Sequence, residues 1–178
     1  INNLESPRDL EYATASFGQG IAISPITTVR ALSTLSNGGL LVTPHIVKKV
    51  EYKNGLSKTI RGETDKRVIK KETSDEITRM LVEVVDSALL GGTVKLERYS
   101  IAAKTGTAQI PDPVNGGYYK DRFLHSFFGY FPAYNPRFIV FLLTIEPKGV
   151  NFASHTLTQP FIDTAKFLIN YYEIPPDR

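Results

Sequence analysis

Apolar residues recur along the chain with two different periods, and the change from one to the other marks the elements. Ile26, Val29, Leu32 and Leu35 repeat at helical spacing, which predicts a helix with one apolar stripe. Ser24 stands at its N-cap with Pro25 at the first helical position, and Gly38-Gly39 ends the run. Before it, the glycine-punctuated stretch at 15–20 reads as a tight loop. Residues 41–61 read as extended, with Val47, Val50 and Tyr52 leading to a turn at Asn54-Gly55. A second helix is predicted from Ile77, Met80, Leu81, Val84, Val85, Ala88 and Leu89. Thr73 and Glu76 have capping-box spacing at its start, and Gly91-Gly92 closes it.

Beyond Gly92 the apolar runs shorten to strand length. Residues 100–109, SIAAKTGTAQ, read as a strand, followed by a polar loop from 111 to about 122. Two more strands are predicted around 126–131 and 138–145, joined at Asn135-Pro136, and a last helix over about 157–172. The short connection makes the last two strands an antiparallel hairpin. Their near-continuous apolar character predicts cover on both faces, and Phe161, Ala165, Leu168 and Ile169 should pack the last helix across the sheet. The class is α+β, an antiparallel sheet flanked by helices.

Composition narrows the function. The chain has 178 residues, long enough for a real core, with 42% hydrophobic and 22% charged residues as in soluble globular proteins. Net charge is +3, but the densest basic groups, Lys48-Lys49 and Lys66-Arg67 with Lys70-Lys71, are dispersed. Phosphate binding needs that charge on one face, so no nucleic acid partner is expected. There is no cysteine, hence no disulfide or thiolate chemistry, which suits an exported protein. The longest apolar run, Phe138 to Leu143, is too short to span a bilayer, and no signal peptide is visible. Any anchor is expected outside this chain. His45, His125 and His155 lack metal-ligand spacing and read as structural or surface residues, so neither metal nor cofactor is expected.

The stretch Lys104-Thr105-Gly106-Thr107 carries the chemistry. Alone, a Lys-Thr-Gly tripeptide arises by chance in about one chain in twenty-five of this length. It is no phosphate-binding loop, because Ala103 rather than glycine precedes the lysine. In the active-site strand of serine penicillin-recognising enzymes, each residue type has a physical use. Lys104 supplies positive potential, and the hydroxyls of Thr105 and Thr107 hydrogen-bond a carboxylate. Gly106 lets a substrate backbone approach, and a strand N–H serves as an oxyanion donor.

The resemblance extends well beyond four residues. Ser16-Phe17-Gly18-Gln19-Gly20-Ile21 followed by Ser24-Pro25, then Ser36-Asn37-Gly38-Gly39 with Pro44-His45, resemble ordered segments of class B penicillin-binding proteins. Ala103 to Gln109 resembles their third motif with its flanks. Phe128-Gly129-Tyr130-Phe131-Pro132-Ala133 and Asn135-Pro136-Arg137-Phe138 resemble the next two strands and their turn. The resemblance implies the penicillin-binding and serine β-lactamase-like transpeptidase fold, with residues 1–178 as the C-terminal portion of one transpeptidase domain. No serine here has a lysine three places later or an asparagine two places later. Ser100 has the wrong spacing to Lys104, so the nucleophile is expected before Ile1, and this chain alone is expected to be inactive.

By the same resemblance, the parent is a peptidoglycan D,D-transpeptidase acting on the extracytoplasmic side of the bacterial cytoplasmic membrane. Its implied partners are stem peptides, β-lactam antibiotics, the remainder of its own domain, and the cell-division or elongation machinery. Lys104, Thr105, Gly106 and Thr107 would bind substrate, with Lys104 and the Thr107 N–H serving catalysis. The Phe17–Gly20 loop and the loop at 111–122 are further candidates for the cleft border, each with an ordinary surface turn as its alternative. Serine β-lactamases and D,D-carboxypeptidases share the third motif, and a non-catalytic β-lactam sensor or scaffold of the same fold remains open. An incomplete domain would also expose apolar surface.

Overall fold

The structure, a computed structural model, describes residues 5–60, 62 and 64–178 of the chain. Position 61, the end of the extended stretch predicted at 41–61, lies outside the described residues. A short helix α1 (Asp9–Ala15) and the loop after it lead to α2 (Pro25–Ser36), whose N-cap Ser24 accepts the Thr27 N–H as expected. Strand β1 (Leu40–Val42) pairs antiparallel with β4 (Thr64–Arg67), and β2 (Lys49–Glu51) pairs with β3 (Ser57–Thr59) across the Asn54-Gly55 turn. Helix α3 (Lys71–Glu83) runs on through a π turn at Val84–Ala88 and a 3-10 turn at Leu89–Gly92.

The start of α3 departs from the capping-box expectation. The helix begins at Lys71, its N-cap Lys70 makes no side-chain cap bond, and Thr73 lies inside the first turn. Ser74 and Thr78 are turned inward, where both hydroxyls donate to the Leu35 carbonyl, and Thr78 also meets Tyr130 Oη at 2.8 Å. The buried face is therefore Ser74, Thr78, Leu81, Val82, Val85 and Leu89, while Met80 is half exposed. Two polar residues at the top of the stripe rotated the face away from the purely apolar pattern.

The centre is an antiparallel sheet in the order β5 (Ala102–Pro111), β6 (Tyr118–Phe131), β7 (Phe138–Ile145), followed by α4 (Ala153–Tyr171). Strand β6 is longer than predicted: the ladder reaches Pro111 opposite Tyr118, so the expected loop shrinks to residues 112–117. Alternation along the strands sorts two cores. Ala103, Phe127, Phe131, Val140 and Leu142 pack under α4 with Phe161, Ala165 and Ile169. Ala102, Tyr130 and Ile139 pack with Leu81 and Val82 of α3 on the other face. That second face is only partly covered: Leu143 and Ile145 at the end of β7 stay exposed. Apolar exposure is heaviest toward the start of the chain, at Leu10, Phe17, Ile26 and Ile46.

Candidate active site

Strand β5 is an edge strand, bonded to β6 on one side only. In an antiparallel ladder the N–H and C=O of one residue point to the same side, and successive residues alternate. The Gly106 carbonyl accepts from Ser126 Oγ of β6 at 3.4 Å, so Gly106 faces its neighbour strand. The polar backbone groups of Thr105 and Thr107 therefore face the free edge. There the Thr105 carbonyl accepts from Lys104 Nζ at 3.0 Å. Thr105 and Thr107 thus turn their main-chain groups to the open side of the strand, where an extended chain could pair with them.

The side chains divide between the two faces of the strand. Lys104 and Gly106 share the face of Ala102, toward α2, while Thr105 and Thr107 share the face of Ala103, toward α4. Lys104 is exposed, and no carboxylate pairs with it among the described residues. A cation without a counter-charge is suited to an anion. A Cβ added to Gly106 would lie 2.5 Å from Ser126 Oγ, so the glycine keeps this face of the strand clear. The Thr107 hydroxyl is already engaged, accepting the Ala153 N–H at 3.0 Å. Its single O–H is left to donate.

Lys104, Thr105, Gly106 and Thr107 line one cleft of about 480 Å³ with the start of α2 and the loop before it. Phe17, Gly18, Ile21, Ile23 and Leu32 form one wall, and Leu124, Phe128, Phe141 and Leu143 extend the floor. The expectation that the Phe17–Gly20 loop borders the cleft agrees with Phe17 and Gly18. Residues 112–117 are absent from its lining among the described residues. A larger groove of about 840 Å³ lies between the end of α2, α3 and the β6–β7 turn, but it holds none of the motif. Size therefore does not select the site; the strand chemistry does. Ser100 is excluded as a nucleophile by its surroundings. It is buried, its hydroxyl donates to Asp177, and the Ala133 N–H bonds its Oγ at 2.9 Å.

Residues 1–165 match the family model described as the penicillin-binding protein transpeptidase domain. The chain belongs to that family. It is 36% identical over 164 residues to stage V sporulation protein D of Bacillus subtilis strain 168, covering 89% of this chain and 24% of that protein. It is 29% identical over 160 residues to the probable peptidoglycan D,D-transpeptidase PenA of Neisseria meningitidis, covering 90% of this chain and 26% of that protein. The class B assignment drawn from the motifs stands with these relatives. Penicillin-binding protein 3 of Mycobacterium tuberculosis in complex with ampicillin superposes with a TM-score of 0.80 at 26% identity, over 93% of this chain and 38% of that one. The chain spans about a quarter of the length of the curated relatives it matches.

Within this penicillin-binding transpeptidase segment, the motif was visible in the sequence but its supports were not. Ser126, Leu32 and Phe141 reach the cleft through register and tertiary packing, with no local signal. The bond from Ala153 to Thr107 joins residues 46 apart, beyond any spacing rule.

Proposed function

We propose that this segment forms the Lys-Thr-Gly wall of a serine-type peptidoglycan D,D-transpeptidase domain and binds the D-Ala-D-Ala end of a stem peptide along the free edge of β5. The supporting observation is a lysine with no carboxylate partner among the described residues, beside outward-facing backbone groups on an edge strand, within a chain of this family. The substrate carboxylate rests against Lys104 and the hydroxyls of Thr105 and Thr107, and the Thr107 N–H donates to the oxyanion. Gly106 is the clear patch over which the peptide lies. The attacking serine forms an ester with the penultimate D-alanine carbonyl and the last D-alanine leaves; an amine from a neighbouring stem then resolves the ester. The Mycobacterium tuberculosis relative is complexed with ampicillin. A β-lactam would occupy the same edge here.

No serine of this chain carries a lysine three places later. We therefore assign the nucleophile to the remainder of the same domain, with residues 1–178 as its C-terminal portion. The apolar wall of Phe17, Ile21, Ile23 and Leu32 is suited to seating that remainder. Peptidoglycan lies outside the cytoplasmic membrane, so the enzyme works on the extracytoplasmic side. Among the described residues no helix is long and apolar enough to cross a membrane. Association with division or elongation machinery belongs to the same proposal.

The test is acylation by a fluorescent penicillin in the transpeptidase domain that contains this segment. Lys104→Ala should slow acylation by roughly 10²-fold, the scale of removing one preorganised electrostatic group, with an unchanged circular dichroism spectrum. Unchanged acylation kinetics would take Lys104 out of the site.

A further inference from the structure

We infer that His125 is a positioning residue for the β5 edge: it fixes the start of α4, and α4 in turn fixes the Thr107 hydroxyl. This rests on the role proposed above for β5. His125 sits on β6 directly opposite Thr107, so both side chains project from the same face toward α4. It is fully buried, and a buried imidazole costs stability unless both nitrogens are bonded. Both are. Nδ1 lies 2.9 Å from Thr156 Oγ1 and Nε2 lies 3.3 Å from the Asn151 carbonyl. A carbonyl only accepts, so Nε2 donates and Nδ1 takes the Thr156 hydroxyl proton.

These two partners bracket the first residue of α4. Asn151 is two residues before Ala153 and Thr156 is three residues after it. Ala153 is the residue whose N–H reaches Thr107 Oγ1. Helix α4 has no cap of its own: Phe152 at the N-cap makes no side-chain bond, and the first turn holds no acidic residue. Its leading N–H, an orphan donor in any helix, is satisfied by the active strand instead. The consequence runs in both directions. Thr107 caps α4, and α4 holds one lone pair of Thr107, which leaves its O–H to donate at the cleft edge. His125 is the clamp that keeps the helix start at bonding distance, on the side of the sheet away from Lys104.

A side chain that acts only through Thr107 loses its influence once the Thr107 hydroxyl is gone. The experiment is a double-mutant cycle in the transpeptidase domain that contains this segment, reading fluorescent-penicillin acylation split into the initial binding constant and the acylation rate constant. His125→Ala should lower the rate constant roughly tenfold with little change in binding, as misplacement of a reacting geometry does. In the Thr107→Val background it should have no further effect. His125→Asn, which keeps an acceptor near the Nδ1 position, should regain most of the rate. Should His125→Ala fail to fold, Thr156→Val cuts the same chain one bond later and replaces it in the cycle. An equal loss with and without the Thr107 hydroxyl, or no loss when it is present, would overturn the positioning role. Lys104→Ala separates the two levels. Slow acylation in that variant together with an uncoupled His125–Thr107 pair removes only the positioning role, whereas unimpaired acylation removes the site itself.

Discussion

The β2–β3 and β5–β6 hairpins are both antiparallel pairs closed by loops containing glycine with positive φ, at Gly55 and at Gly116-Gly117. Every residue of β2 and β3 is exposed, and their two-stranded sheet has no third strand among the described residues. Strands β5 and β6 instead bury Ala102, Ala103, Phe127, Tyr130 and Phe131 between α3 and α4. An isolated two-stranded hairpin is marginal in water, whereas a sheet packed on both faces is rigid. The motif lies on the braced hairpin. Lys104 follows directly on the buried Ala102-Ala103 pair, so the motif begins where the core ends.

The sharpest way to break this contrast is to remove the brace. Phe161 is fully buried, stacks on Phe127 at 4.5 Å and meets Phe131 edge-on at 6.2 Å. Phe161→Ala should destabilise the fold by about 3–5 kcal/mol in denaturant unfolding. Leu56→Ala on the free hairpin, where the side chain is 64% exposed, should stay within about 0.5 kcal/mol. Comparable losses from the two variants would mean that the β2–β3 hairpin is braced after all.

The smallest expected effect separates the two turns by pH. Hydrogen bonds from the Asn115 side chain, then from the Asn115 and Val114 backbones, hold the Asp112 carboxyl below its ordinary value of 3.8. A depressed carboxyl contributes order that is complete above its unfolded-state value and is lost as pH falls through the folded one. The 112–117 turn should therefore loosen in acid, seen as collapse of the Asn115 side-chain amide shift in NMR. The Asn54-Gly55 turn is held by a neutral amide, with Asn54 Oδ1 accepting from the Leu56 N–H at 3.1 Å, and should not respond. Parallel loosening of both turns would contradict the assignment.

Much of the frame was legible because its signals are local. Ser24 and Pro25 mark the start of α2, Asn54-Gly55 marks the turn, and Gly91-Gly92 ends the helical run after α3. At Gly92 a Cβ would lie 2.6 Å from the Asp86 carbonyl, so the stop is steric as well as conformational. What the sequence hid depends on distant partners. Helix α4 starts at Ala153, earlier than its apolar stripe, because its cap is Thr107 on another element. Strand β6 begins at Tyr118 because β5 offers a ladder there, although Tyr118 to Arg122 reads as polar loop. Short α1 and β4 also lacked a periodic signature. In the site, the four motif residues were readable, but their division between two faces and the attachment of Thr107 to α4 were not.

The central claim is that the free edge of β5 holds the carboxylate and the oxyanion together. The most direct measurement is a crystal structure of the penicillin-acylated transpeptidase domain containing this segment. The account predicts the antibiotic's acyl carbonyl oxygen about 2.7–3.1 Å from the Thr107 backbone nitrogen, with its carboxylate against Lys104 and Thr105. An acyl group whose oxygen is bonded elsewhere, with the antibiotic lying off the β5 edge, would contradict it.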